Sequence, residues 1–536
     1  MGLEFICGSA GSGKSTYLYQ TICEEAAAHR ERRYYILVPD QFTLETQKTL
    51  VEMSGGNGIL NIDVLSFHRL AFRAFEQFPA LQKTILEDMG KTMLLRKIFS
   101  EQKDNLVYFK KGIDRPGFLD ECKSFLCELE QYGIREKEQF EKMETLGRKF
   151  EDIHRIHDCF KEKMGDTYQM AEELTGQLTG VLDRMDGIRD SVMCLDGFTG
   201  FTPTQYELLE KMMRLCARVV VTVTTDETGK RGAVFEIADT TIKTLTKIAN
   251  RIPTEVKQIP VPREGRKAPY RFEEGGELAF LERNIFAYPY EKWSPKTENM
   301  WLYIGDKPAA EAAYVAKTIW WMLADGQYAE EEIAVVTGSI TSYEQAISRE
   351  FDRAGIRYFL DSKKNIGANW IAEYIQSVLE MYHYNMDAAS TFRFLRCGLS
   401  PLTRKETDLL ENYVLATGKR GIAAYMKPWR AREKDYDLEE INAIREKVTD
   451  CIHDFFLELR GGKKPVEKFV RALYDFLVQQ NVYDRMLEQS RIFEESGETI
   501  LAREYKNVYK VVMNLLDEMM ELLGTEVVAL EEFEQI

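Results

Sequence analysis

No stretch of this 536-residue chain reaches the roughly 18 unbroken apolar residues that a membrane-spanning helix needs. The N-terminus carries no basic-then-apolar leader, which predicts a chain without a secretory signal. Cysteine is sparse and scattered, at positions 7, 23, 122, 127, 159, 194, 216, 397 and 451. No C-x-x-C pair occurs, which excludes a zinc ribbon or an iron–sulfur cluster built within this sequence. Reduced thiols in a cytoplasm fit that usage, with no membrane partner. The 6 histidines have no ligand spacing, so no metal is expected beyond nucleotide-bound Mg²⁺. Basic residues are outnumbered, with Lys+Arg 71 against Asp+Glu 87 and a net charge of −16. That balance argues against non-specific coating of nucleic acid. It leaves room for a local basic channel, because contacts are local and net charge is global.

What is present is an ordinary globular composition, 44% hydrophobic and 29% charged, long enough for roughly three or four domains. Its most informative string is Gly8-Ser9-Ala10-Gly11-Ser12-Gly13-Lys14-Ser15-Thr16. Gly8 to Ser15 fits G-x-x-x-x-G-K-[ST] without a mismatch, between a strand-like run (Leu3 to Cys7) and a helix-like one (Tyr17 to Ala28). Glycines let such a loop wrap a phosphate with backbone N–H groups, and the following helix N-terminus adds partial positive charge. Lys14 would reach the β- and γ-phosphates, and Ser15 would hold Mg²⁺. All nine residues from Gly8 to Thr16 are therefore expected to bind ATP.

Around this loop the pattern alternates between strand and helix. Tyr34 to Val38 and Ile62 to Leu65 read as strands. From about 80 to 190 the pattern turns helical, over Lys91–Phe99, Phe118–Tyr132, Phe140–Met164 and Tyr168–Met185. Strands return at Ser191–Asp196 and Ala217–Val223, flanking a helix over Thr204–Leu215. Residues 253–299 hold several prolines and charges and read as a connector. A second α/β unit is expected at 300–369, with strands Met300–Ile304, Ile333–Val336 and Arg357–Leu360 around helices Ala309–Leu323 and Tyr343–Ala354. Residues 370–536 are again helical. The chain stops inside a helical pattern, Glu531 to Ile536, which predicts a truncated domain.

A phosphate loop, a helical insert after the third strand and a second α/β unit with its own insert resemble superfamily-one DNA helicases of the UvrD type. Four strings are more specific: Leu37 to Gln47, Leu65 to Ala71, Asp196 to Pro203 and Leu410 to Ala416. They resemble the B subunits of bacterial AddAB helicase–nucleases in their Firmicutes form, and the similarity runs over essentially the whole chain. The resemblance implies an α/β fold of P-loop RecA-like domains with large helical insertions. The first RecA-like domain would be 1–80 plus 186–252, with 81–185 inserted, 300–369 opening the second and 370–536 a second insertion. It further implies an A-type partner subunit in a heterodimer, single-stranded DNA as ligand, and a role in break repair and recognition of the recombination hotspot Chi. The family's nuclease domain and its iron–sulfur cluster would lie beyond this sequence.

On this reading Asp196, at a strand end, would hold Mg²⁺ with Ser15; the bland alternative is a turn residue before Gly197. Gly197 stands where a water-activating glutamate is usual, so hydrolysis should be slow, and no catalytic residue is assigned. No arginine follows the strand Ile333–Val336 to complete the ATP site; Thr337 and Gly338 stand there. Gln41 is assigned to the nucleotide. Thr43 is assigned to DNA, its alternative being a helix N-cap. Ser66, Phe67, His68 and Arg69 resemble a DNA-groove string: Phe67 would stack on a base or else pack in the core, and His68 and Arg69 would meet phosphate. Trp429, among Lys427, Arg430 and Arg432, would stack on a base or lie in a solvated loop. An autonomous helicase motor and a small-molecule kinase are the rival classes.

Overall fold

The computed structural model describes residues 2–536 except 56–60, 113, 114, 116, 135–146, 227, 228, 253, 263–268, 363–365 and 431–435. The chain divides into two units, Met1–Trp301 and Leu302–Ile536.

The first unit is built on six parallel strands: β1 (Gly2–Gly8), β2 (Tyr34–Leu37), β3 (Ile62–Leu65), β4 (Val192–Leu195), β5 (Arg218–Thr224) and β6 (Glu255–Pro260). Their order across the sheet is β3-β2-β4-β5-β1-β6. Central strands are apolar on consecutive residues because both faces are covered. On one face lie α1 (Lys14–Ala28) and α2 (Thr43–Met53), through Leu18, Ile22 and Leu50 against Ile6, Ile36 and Val220. The other face takes α3 (Phe67–Phe75) through Leu70 and Phe75, against Phe5, Leu37 and Val221. Parallel strands direct all their carboxyl ends to one edge, so the loops after β1, β2, β3 and β4 share it. In open α/β sheets that edge is where ligands bind.

The stretch expected as a connector begins with a strand. Glu255-Val256-Lys257-Gln258-Ile259-Pro260 pairs along β1, from Gly2 opposite Glu255 to Cys7 opposite Pro260. Its solvated side chains and terminal proline mimic a linker, and both are tolerated because β6 is an edge strand.

Between β3 and β4 the chain is mainly helical: α4 (Asp88–Gln102), α5 (Phe118–Gln131), α6 (Gly147–Met164) and α7 (Leu174–Val181). Residues 140–146 of the expected Phe140–Met164 helix lie outside the described residues. The expected helix over Tyr168–Met185 starts late, because Tyr168–Gln169 pairs instead with Thr84–Ile85. Buried charges here are paired: Lys91 meets Glu172 at 3.1 Å, and Glu130 meets His157 at 3.1 Å and Lys161 at 2.6 Å. The Asp152 carboxylate accepts the N–H groups of Val107, Tyr108 and Phe109 at 2.7–3.1 Å.

In the second unit, α8 (Pro308–Ala324) packs on α9 (Ile340–Ala354) through Ala312, Ala316 and Ile319 against Ile347 and Phe351. The three strands expected beside them form no sheet among the described residues: 301–305, 333–337 and 357–360 carry no strand ladder. Their apolar side chains stand open, Leu302 at 90%, Val336 at 92% and Phe359 at 88% exposure. The remainder is mainly helical, including Trp370–His383, Arg404–Thr417, Leu438–Leu459 and Thr499–Leu523, with one short antiparallel pair of Lys464–Pro465 and Val527–Val528.

Trp429 belongs to that helical core. It is 4% exposed, stacks on Tyr413 at 5.4 Å, meets Tyr425 edge-on at 5.1 Å and donates its indole N–H to the Ala424 carbonyl at 2.9 Å. Its ring has no open face for a base, which removes the stacking alternative; Arg432 lies outside the described residues. Trp429→Ala is expected to destabilise this unit by about 3–5 kcal/mol in denaturant unfolding, the scale for emptying a buried aromatic site. A loss below about 1 kcal/mol would place the ring in a solvated loop instead.

Candidate functional site

The loop Gly8–Gly13 leaves β1 and turns into α1 at the carboxyl edge of the sheet. Gly11 and Gly13 have φ of +73° and +90°, a region that side chains with a Cβ disfavour. Gly13 is the N-cap of α1 and brings no side-chain cap, and the first turn of that helix holds no acidic residue. The helix therefore presents its orphan N–H groups and its positive dipole end to the loop, the electrostatics of an anion site. Lys14 folds back over the loop, donating to the carbonyls of Gly8 at 3.1 Å and Ser9 at 2.8 Å. Ser9 and Ser12 are buried, and the Ser12 hydroxyl has no hydrogen-bond partner. Ala10 and Thr16 are exposed. An orphaned buried hydroxyl, an uncapped helix and a positioned ammonium together fit a polyphosphate.

Asp196 closes the site from β4. Its carboxylate is 5% exposed and accepts three hydroxyls: Ser15 at 3.1 Å, Thr222 at 2.6 Å and Tyr19 at 2.6 Å. Burial, reinforced by the neighbouring Asp196 charge, raises the Tyr19 hydroxyl above the ordinary phenol range and keeps it a donor. The same hydroxyl lies 3.4 Å from Thr46 on α2. Burial also pushes the Cys7 thiol at the end of β1 up to about 11, against a smaller opposing pull from Lys14. The pair Ser15–Asp196 brings one hydroxyl and one carboxylate oxygen together beside the loop, donors suited to a hard divalent cation. Among the described residues no cluster of three or more His, Cys, Asp or Glu could hold a metal by itself. Gly197, at φ +78°, offers no carboxylate after Asp196.

The remaining sequence candidates gather further along the same edge, after β2 and β3. Gln41 is exposed in the turn Asp40–Phe42. Strands β4 and β5 separate β2 from β1 in the sheet, and the turn lies against Gly197, where an added Cβ would be 3.5 Å from Pro39 and 3.9 Å from Phe42. Thr43 is buried; as the first residue of α2 its hydroxyl donates to the Asp40 carbonyl at 3.0 Å, so it does not serve as the accepting cap. Ser66 is the N-cap of α3, its hydroxyl accepting the Arg69 N–H at 3.3 Å. Phe67 is 7% exposed and packs on Phe198 at 5.2 Å and Phe201 at 6.5 Å, which is the core alternative. His68 lies 3.4 Å from Asp40 with its side chain half exposed, and Arg69 is exposed. The structure thus unites Lys14, Ser15 and Asp196, leaves His68 and Arg69 accessible, and turns Ser66, Phe67 and Thr43 inward.

The sequence profile of the family described as ADDB, N-terminal matches residues 5–282. The chain belongs to this family. That bears out the resemblance carried by the four strings. Among its relatives, the B subunit of the ATP-dependent helicase/deoxyribonuclease of Lachnoclostridium phytofermentans is 37% identical. Proteins of the same name from Caldanaerobacter subterraneus subsp. tengcongensis and Acetivibrio thermocellus are each 31% identical. Each comparison covers 100% of this chain and 48% of the relative, so the chain spans about half the length of the curated relatives it matches. The family match contains the loop, Asp196 and all six strands except the first three residues of β1.

Two site residues escaped the sequence reading. Tyr19 looks like any amphipathic-helix tyrosine. Thr222 did carry a signal: it is the one hydroxyl in the apolar run Val219-Val220-Val221-Thr222-Val223, and a polar group inside a covered strand needs a partner. Thr222→Val should lower unfolding stability by about 1–3 kcal/mol, the scale for removing one hydrogen bond from a buried carboxylate. An unchanged denaturation midpoint would show that Asp196 does not depend on it.

Proposed function

We propose that this chain is the nucleotide-holding, DNA-engaging half of a helicase–nuclease B subunit. The carrying observation is the convergence of Lys14, Ser15 and Asp196 from two non-adjacent strands onto one uncapped helix end. ATP would lie along the loop from Gly8 to Thr16, its phosphates meeting backbone N–H groups, the Lys14 ammonium and the Ser12 hydroxyl. Mg²⁺ would be held by Ser15 and Asp196 and would neutralise phosphate charge. The all-parallel sheet, with the loop after β1 and the carboxylate after β4, supports a RecA-like first domain over 1–80 and 186–252, extended by β6. Residues 300–369 would open a second such domain, and 81–185 and 370–536 would be helical insertions.

Gly197 decides the balance between holding ATP and spending it. With no carboxylate after Asp196 to orient water, hydrolysis is slow and ATP serves as a structural or regulatory ligand. Motor activity would then fall to an A-type partner subunit in a heterodimer. The B subunit would follow the single strand, read Chi, and contribute to recombinational repair of double-strand breaks in the cytoplasm. Its nuclease centre, with an iron–sulfur cluster, would lie in the half of the relatives' length not spanned here. On the DNA side His68 and Arg69 would touch phosphate, with Ser66, Phe67 and Thr43 fixing the segment behind them and Gln41 beside them.

A fluorescent ATP analogue should bind the wild-type chain and lose at least about tenfold in affinity with Lys14→Ala, the scale of one strong charge-assisted contact. Equal binding by the two proteins would remove the nucleotide half of the proposal. Single-stranded DNA should bind at low salt, and Arg69→Ala should reduce the slope of log K against log salt by about 0.7, the value for one lost single-strand phosphate contact. An unchanged slope would take Arg69 off the DNA path.

A further inference from the structure

The phosphate loop has an occupant on its outer side that the sequence reading missed. After β6 the chain bonds back to β1, the Val261 N–H donating to the Cys7 carbonyl at 2.7 Å. It then returns to the loop as the turn Pro269–Phe272, closed by the Phe272 N–H on the Pro269 carbonyl at 3.0 Å. The Arg271 N–H donates to the Gly11 carbonyl at 3.0 Å. A Cβ added to Gly11 would lie 2.7 Å from Arg271 Cβ, 3.3 Å from its Cδ and 3.4 Å from its Nε. One added to Gly13 would lie 3.0 Å from the Tyr270 ring. The turn is therefore seated directly on the two positive-φ glycines, with no room for a side chain between.

This seat fixes the arginine where chance exposure would not. Its backbone is tied to the loop and its aliphatic stem lies across Gly11, so the guanidinium is carried at the rim of the cradle. That guanidinium is exposed and has no carboxylate partner among the described residues. In a chain of net charge −16, an uncompensated cation held beside an anion cradle is a local feature that composition does not explain. Lys14, the other cation, already lies across the Gly8 and Ser9 carbonyls. Guanidinium forks suit phosphate oxygens, and their attraction grows with the charge of the phosphate chain.

We infer that Arg271 is a second cationic phosphate ligand of this cradle, and that it makes the site prefer nucleoside triphosphate over diphosphate. The inference rests on the nucleotide reading above and specifies its selectivity. It also places an arginine at the site within the first unit, where the sequence reading looked for one only beyond the strand Ile333–Val336.

The test is titration of the 536-residue chain with Mg·ATP and Mg·ADP, comparing wild type with Arg271→Ala, Arg271→Lys and Lys14→Ala. Arg271→Ala should weaken ATP by about tenfold, one charge-assisted hydrogen bond, and ADP by no more than about twofold. Arg271→Lys should restore part of the ATP preference, while Lys14→Ala should weaken both nucleotides. An unchanged ATP-to-ADP ratio in Arg271→Ala, whether both affinities hold or both fall together, overturns the inference and leaves the nucleotide site standing. Wild-type protein that binds neither nucleotide overturns the reading of the cradle, and this inference with it. Thermal unfolding of each variant without nucleotide separates loss of contact from loss of fold.

Discussion

A buried carboxylate holds the candidate site together. Asp196 is almost fully withdrawn from water, so its negative charge is tolerable only because hydroxyls surround it. Those three hydroxyls come from two elements: Ser15 and Tyr19 on α1, one turn apart, and Thr222 on the neighbouring strand β5. Each bond therefore satisfies the charge and also fixes a piece of backbone. The helix that begins at the phosphate loop is pinned to β4 across the intervening β5. The position of Lys14 at the loop then follows from the same constraint, since it is the first residue of the pinned helix.

The loop itself was legible in the sequence because its chemistry is contiguous: nine residues, with strand before and helix after. The covered strands β2, β4 and β5 were legible for a related reason, as short apolar runs bounded by polar residues. Strand β6 was not, since an edge strand is half solvated and Glu255, Lys257 and Gln258 look like a linker. Phe67 and Trp429 show a different limit. An aromatic beside basic residues reads equally well as a base-stacking platform or as core, and only the partners, Phe198 and Phe201 or Tyr413 and Tyr425, separate the two. The seat of Arg271 on Gly11 lay beyond any local pattern, because 260 positions separate the two residues.

The second unit shows where periodicity overreaches. Met300–Ile304, Ile333–Val336 and Arg357–Leu360 have strand composition, and the helices between them pack as an α/β unit requires. Strand propensity, however, describes fit to a pleated, half-buried surface and needs neighbours to act on. In this chain the segments carry no ladder among the described residues, and Leu302, Val336 and Phe359 remain in solvent. The helices are thus joined by side-chain contacts, apolar packing and the Tyr343 hydroxyl donating to Glu311 at 2.5 Å, whereas in the first unit α1, α2 and α3 each rest on a hydrogen-bonded sheet.

The glycines of the phosphate loop answer to two demands at once. From inside, positive φ at Gly11 and Gly13 lets backbone N–H groups turn towards an anion. From the other side, the turn Pro269–Phe272 approaches so closely that a Cβ at Gly11 would lie 2.7 Å from Arg271 and one at Gly13 3.0 Å from the Tyr270 ring. Alanine at Gly11 or Gly13 would therefore disturb phosphate cradle and turn together, and its effect could not be attributed to either. The side chains of Lys14 and Arg271 separate them, because one reaches across the loop's own carbonyls and the other comes from a segment behind it. Gly197 belongs to neither set: its φ of +78° serves the turn after β4, and on the proposed reading the missing carboxylate there limits chemistry rather than binding. On the proposed nucleotide reading, Lys14, Ser15, Asp196 and Arg271 hold a polyphosphate, and none of them is placed to activate water against it.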